Sequence, residues 1–520
     1  MSTANSNYLS SSDVDEEKMH YSNEEEPRRW YNTGLKIGSK RLLPYNSSTV
    51  QLLMVSFVFF LCPGMFNALN GLGGGGLGQD HADTSANSNV ALYTTFAVVG
   101  FFSGTIANAI GAKYTLAIGG IGYAINSASY LCFSHTENSG FVIAAGAIVG
   151  VCASCLWAAQ GIVIMGYPTE ERKGQYLAVF WAIFNLGSVI GSLVPLIQTV
   201  NSNTQSNVSD ATYAAFLALM IVGAILSLFL MPAAKVVKAD GTKVIVKKNP
   251  TFMSEMKGLF KVLKVDPYVI LLFPMFFSSN WFYTYQFNDF NLAKFNIRTR
   301  SLNNLLYWVA QIVGALTWGF LLDWKRFNRK TRAKAFHIFV FVITMVIWGG
   351  GYDFQKQFTR AESESGKVEA MDWTDGAYIG PMFLYMFYGI FDAIWQTYVY
   401  WLLGALTNSS RKLALYAGFY KGLQSAGSAI VWRLDAMGYE YMNIFASAWA
   451  LLVASLLISF PLVWWKVKET TDPDDDAMFT EDLDSREEAH VAAQKEYNIP
   501  TNDHQMSPTE INEAPSKEAL

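Results

Sequence analysis

Two charges stand where charge is expensive. Asp392 lies in MFYGIFDAIWQTY and Lys421 in YAGFYKGLQSAG, each inside an apolar run long enough to cross a bilayer. A charge at the middle of such a run costs at least about 2.5 kcal/mol on insertion scales. Counted from the short connection at 404–410, both fall near mid-depth on adjacent antiparallel helices. Two chemistries fit. Asp392 can take up and release a proton or cation with Lys421 as counter-charge, or the two can form a buried ion pair that only fixes helix register. Amides and aromatics recur in the same kind of run: Asn67, Asn70, Gln160, Asn185, Asn280, Trp281, Tyr285, Gln286, Trp395, Gln396 and Gln424. Hydrogen-bonding amides beside ring faces suit a small neutral or zwitterionic solute. Taken singly, each also serves as a helix-to-helix hydrogen bond. Arg433 and Asp435, at the end of the same run as Lys421, are read as reaching for the interface.

Other reactive patterns point away from catalysis. Cys152-Ala-Ser-Cys155 is a CxxC, but it lies in an apolar helix with no second pair and no nearby His, so small-residue packing is the expectation. The six histidines are scattered, and neither a metal site nor a cofactor is expected. No G-x-x-x-x-G-K-[ST], H-E-x-x-H or G-x-S-x-G is present, which excludes a standard ATP-driven pump and leaves an enzyme as a distant reading. GLGGGG (71–76) fits the dinucleotide pattern only in letters. That pattern needs a strand before it and a helix after it, whereas a membrane-length apolar run precedes these glycines, and Gly73 to Gly76 read as a tight, low-bulk exit.

The elements that must position these residues follow from composition. At 51% hydrophobic and 15% charged over 520 residues, the chain reads as a membrane protein. Runs of about 20 apolar residues recur about twelve times between 49 and 465, predicting an all-α protein of twelve transmembrane helices. Five regions result: a disordered N-tail (1–44), a six-helix bundle (45–231), a linker with an amphipathic helix (232–268), a second six-helix bundle (269–465) and a disordered acidic C-tail (466–520). The polar opening has no apolar leader, so the first span is expected to act as the insertion signal. Loop charge sets orientation. Placing both termini in the cytoplasm gives the inner loops 19 Lys and Arg against six outside. The sequon at Asn207 then falls outside, within reach of glycosylation. Plasma membrane and vacuolar or other endomembranes fit alike, the bilayer is the one assured partner, and no nucleic-acid partner is expected.

The halves repeat in the same direction. FNALN (66–70) matches FNDFN (287–291), VGFFSGTIAN (99–108) matches VGALTWGFLLD (313–323), and Trp157 through Ser188 parallels Trp395 through Ser428. A parallel six-plus-six repeat around a midplane cavity is the architecture of the major facilitator superfamily. GTIANAIGAK (104–113) resembles that superfamily's gating-loop signature, keeping Gly104 and Lys113 but with Asn108 and Ala109 in place of the usual Asp and Arg; GFLLDWKRFNRK (319–330) keeps Gly319 and Asp323. FNALNGLGGGG, with LWAAQG (156–161) and GSVIGSL (187–193), is similar to the uncoordinated-93 (unc-93) family, particularly its fungal members. The resemblance spans residues 45–465. It implies a facilitator-type fold and a facilitated or proton-coupled carrier of a small solute, the alternative being a trafficking chaperone or regulator of another membrane protein, as in some animal relatives.

Overall fold

In the computed structural model the described residues are 30–34, 36–37, 40–169, 172–201, 207–244, 252–322, 324, 326–407 and 410–469. The chain is mostly helical. Nine of the described helical segments are long and apolar enough to cross a membrane.

Ser47 opens the first helix by accepting from the Val50 amide, a polar cap on an apolar run. That helix, α1 (Ser48–Leu61), continues as α2 (Pro63–Gly71), with Pro63 at the first position where its missing N–H is harmless. Then come α3 (Ala82–Ile110), α4 (Ala112–Thr136), α5 (Ser139–Gly166), α6 (Lys173–Thr199) and α7 (Asp210–Ser227). After α8 (Phe252–Val265), the chain from Pro267 to Leu292 is segmented: a 3-10 stretch, α9 (Phe273–Ser278), α10 (Trp281–Thr284) and a π-helix (Tyr285–Leu292). The remaining helices are α11 (Ile297–Leu322), α12 (Arg329–Gln355), the short α13 (Arg360–Glu364), α14 (Ile379–Leu406), α15 (Ser410–Ala436) and α16 (Tyr441–Pro461).

Small residues let these helices approach closely. A methyl group on Gly64 would stand 3.0 Å from the Cα of Gly187, joining α2 to α6, and one on Gly120 would stand 2.9 Å from Ala224, joining α4 to α7. Cys152 packs against Gly122 in the same way. Buried apolar side chains gather in two clusters, one drawn from 52–244 with Ile297, the other from 262–467. Between them, α6 packs along α11 and α3 along α15.

Two expectations change. Residues 30–44, read as part of a disordered tail, include a small antiparallel pair, Lys36–Ile37 with Lys40–Arg41. The apolar run expected to close at 287 stays helical to Leu292, which carries Asp289 into the buried interior. Residues 1–29 and 470–520 lie outside the described residues.

Candidate functional site

The midplane of α14 and α15 holds a polar network supplied mainly by α10, the π-helix, α11, α14 and α15. Asp392 is fully buried. Its Oδ2 accepts from the Tyr283 hydroxyl at 2.6 Å, from Tyr307 at 3.4 Å and from the Gln311 amide, and its Oδ1 accepts from Gln396 Nε2 at 3.4 Å. Tyr307 also donates to Gln286 Oε1 at 3.0 Å, bringing that amide into the group. Among the described residues no cation lies within ion-pair distance of Asp392.

Lys421 does not touch it. Its Nζ donates to Gln424 Oε1 at 2.9 Å, and Gln424 Nε2 donates to Asn280 Oδ1 at 2.8 Å and to Gln396 Oε1 at 3.3 Å. Gln396 Nε2 in turn reaches Asn280 Oδ1 at 3.2 Å, while its Oε1 also accepts from Tyr420. The expected counter-charge contact is therefore an amide relay, Asp392–Gln396–Gln424–Lys421. The ammonium sits among three rings, 5.1 Å from the centroid of Tyr420, 5.5 Å from Trp157 and 5.7 Å from Tyr400. Trp157 comes from α5, so the first half reaches the site through a ring rather than a charge.

Six of the sequence-derived residues thus meet: Asn280, Gln286, Asp392, Gln396, Lys421 and Gln424. Two others serve packing, since Trp281 donates to Ser447 at 2.9 Å and the buried Trp395 donates to Ser279 at 3.0 Å. In the first half, Asn67 and Asn70 are half-buried and Gln160 and Asn185 buried. Tyr285 is buried, and its hydroxyl has no partner among the described residues.

A second constellation closes the end of the bundle that carries the glycines. Gly73, Gly74, Gly75 and Gly76 have φ of 77°, 55°, 61° and 81°, four consecutive left-handed residues that only glycine adopts without strain. This turns their carbonyls onto neighbours. Arg300 Nε donates to Leu72 O at 2.8 Å, and another of its nitrogens donates to Gly73 O at 2.9 Å and Leu77 O at 3.3 Å. Tyr213 donates to Gly75 O at 3.0 Å, and Asn288 Oδ1 accepts from the Gly74 amide at 2.8 Å. FNDFN also reaches the residue that follows FNALN, because Asn291 donates to Gly71 O at 3.0 Å.

Behind this contact lies an ion cluster that the sequence reading did not single out. Arg360, buried on α13, lies 3.3 Å from Asp289 Oδ1 and 2.5 Å from Asp435 Oδ1, and Asn288 Nδ2 donates to Asp435 Oδ2 at 2.7 Å. Asp435 is 5% exposed, so it does not reach for the interface as expected. Burial works against the Arg360 charge, but Asp289 and Asp435 hold its pKa above the ordinary arginine value. Nearby, the bidentate partner Arg298 holds the Asp372 carboxyl well below the usual range. The one available signal was an acid, Asp289, within the otherwise apolar and amide-rich YTYQFNDFN.

The loop residues fall elsewhere. Gly104 and Gly319 sit at helical positions where an added methyl group would meet nothing within 4 Å, and Lys113 is half-buried, 5.6 Å over the Tyr114 ring. Asp323 lies outside the described residues, as does the side chain of Asn108. Asn207 is exposed beside Val208, whose amide donates to Gly76 O at 3.0 Å.

Comparison with known proteins covers most of the chain. A family model described as Major Facilitator Superfamily matches residues 49–359. An UNC93-like protein of Schizosaccharomyces pombe is 55% identical over 443 residues, 85% of this chain and 87% of its own length. UNC93-like protein 1 of Arabidopsis thaliana is 39% identical over 430 residues, 83% and 93% of the two chains. Among solved structures, a D-xylose-proton symporter superposes with a TM-score of 0.55 at 12% identity, covering 81% of this chain and 97% of that one. A structure of proton dependent oligopeptide transporters gives 0.56 at 14%, over 82% and 100%. At such identity the likeness is one of fold.

Proposed function

The chain belongs to the major facilitator superfamily and, within it, to the UNC93-like proteins, and from that premise we propose that it carries a small solute across a membrane, coupled to protons through Asp392. The observation that carries this reading is the state of Asp392: buried at mid-helix, held by four donors and, among the described residues, left without a cation. A buried carboxylate is costly as a bare anion, and a proton or solute cation arriving from water neutralises it. The titratable groups facing it are Tyr283, Tyr307 and, through the amides, Tyr420 and Lys421.

The carrier has twelve crossings in two halves, 45–231 and 269–465, joined by 232–268. The two buried clusters and the pairing of α6 with α11 and α3 with α15 support that division. The glycine end faces outward and both termini lie in the cytoplasm, supported by the basic loops at the opposite end. The solute passes Asn280, Gln286, Gln396 and Gln424 on one side and Asn67, Asn70, Gln160 and Asn185 on the other.

The deciding measurement is flux into liposomes holding the purified protein, under an imposed pH gradient and with a solute panel. Flux that follows the gradient in the wild type and ignores it in Asp392→Asn is expected. Gradient-dependent flux that persists in Asp392→Asn would remove Asp392 from coupling. A second reading, a non-transporting escort of another membrane protein, is favoured by Asn108 and Ala109, which lack the usual charges of the gating loop. Absence of any flux, with a stoichiometric membrane-protein partner captured from native membranes, would establish that reading instead.

A further inference from the structure

Lys421 leaves a charge unanswered at the place where the two halves meet. Among the described residues no carboxylate lies within ion-pair distance of it, and its one hydrogen bond goes to an amide oxygen. An ammonium has three N–H donors, so two point elsewhere. The rings of Trp157, Tyr400 and Tyr420 answer part of the charge through their π faces but accept no strong hydrogen bond. Lys421, Gln396, Trp157 and Tyr400 are each only half-buried, so part of each side chain is left uncovered by the protein.

The amides around it are already committed. Gln424 turns its NH2 to Asn280 and Gln396, and Gln396 turns its NH2 to Ser279 O, Asn280 and Asp392. Their donors point inward, and the Gln424 oxygen points at Lys421. The one cationic donor of this group is therefore the ammonium, beside ring walls.

We infer that Lys421 is the anchor for the carboxylate of a small monocarboxylate solute, whose planar or apolar body lies against Trp157 and Tyr400. This rests on the carrier reading and names its substrate class. A neutral hydroxyl or carbonyl would satisfy the free N–H groups but not the charge; a carboxylate satisfies both. A second anionic group would face ring faces and Asp392, which disfavours dicarboxylates. The same geometry links solute to proton. An anion seated at Lys421 lies on the far side of two amides from Asp392, so solute and ionised Asp392 repel, and a proton placed on Asp392 relieves the repulsion. Proton and anion then travel together, and the transported unit is neutral.

The test uses the full-length purified protein and three probes of one shape and different charge: benzoate, benzamide and benzylamine. Isothermal titration should show benzoate binding, with benzamide and benzylamine weaker by at least about tenfold. Lys421→Arg should keep that preference and Lys421→Gln should erase it. Equal binding of the three probes by the wild type, or a benzoate preference surviving in Lys421→Gln, would overturn the assignment; the wild-type comparison needs no variant to fold. Flux of pyruvate into liposomes separates the two readings. Benzoate preference without any flux keeps the anion subsite and removes the carrier. Gradient-dependent flux of uncharged or cationic solutes, without benzoate preference, keeps the carrier and removes the subsite.

Discussion

The glycine end and the midplane both bury charge, and they treat it in opposite ways. At the glycine end Arg360 touches Asp289 and Asp435, and Arg300 is spread over three backbone carbonyls. Both arginines are matched by oxygen, across parts of the chain from residue 72 to 435. At the midplane, Asp392 and Lys421 are kept apart by two glutamines. Pairing of this kind holds a closed end together, because breaking one partner strands the others. Separation leaves each charge available to something from outside. The difference teaches where to look for work in a buried polar network: at the groups whose charge has no resident partner.

The contrast can be broken from either end. The largest effect is expected from Arg360→Ala, which strands Asp289 and Asp435 and should cost about 3–5 kcal/mol; detergent-solubilised protein should unfold at a much lower temperature, and an unchanged midpoint would mean the cluster is no lock. Next comes Gly75→Ala. Its φ of 61° strains any Cβ, and the Tyr130 ring stands 2.5 Å from where that Cβ would lie, so a loss of about 1–3 kcal/mol is expected by the same melting assay. Gly104→Ala, with nothing within 4 Å, is the control and should not lower the midpoint.

A smaller, pH-dependent effect belongs to Asp372. Arg298 lowers its folded pKa below the unfolded value of about 3.9. Its stabilisation is therefore present above that value and fades as pH falls towards the lower folded one. The melting gap between wild type and Asp372→Asn should be constant from neutral pH to about 5 and shrink below about 4. A small change in stability is expected from Asp392→Asn, which can keep an oxygen towards Tyr283, Tyr307 and Gln311 and gives up only the long 3.4 Å hydrogen bond from Gln396 Nε2. Its midpoint should move little while gradient dependence of flux is lost. A collapse as large as that of Arg360→Ala would erase the distinction between the two regions.

What was legible in the sequence divides along the same line. Asp392 and Lys421 could be found because an isolated charge in an apolar run is visible one residue at a time. The helical membrane architecture was legible for the same reason, as was the interest of the glycine run. The partners were not. Arg360 counts in the sequence as an outer-loop base, and nothing local ties it to an acid some 70 residues away in either direction. Asp289 is hidden because it lies beyond the apolar run that closes at 287, and a π-helical continuation leaves no periodic signature of its own. Trp281 and Trp395 have the residue type of a solute wall, but their indole N–H groups are already taken by Ser447 and Ser279. Amides and indoles satisfy one another or wait for solute, and composition does not distinguish the two.

The π-helix at Tyr285–Leu292 has a mechanical consequence. Its hydrogen bonds close one residue later than in an α-helix, so the segment holds slack in its winding. Each residue of slack taken up as ordinary α-helix would turn the chain beyond it by about 100°. Asn288, Asp289 and Asn291 all ride on that segment. A single step of the screw would swing them off Gly74, Arg360 and Gly71 together, converting three separate releases into one motion of a helix about its own axis.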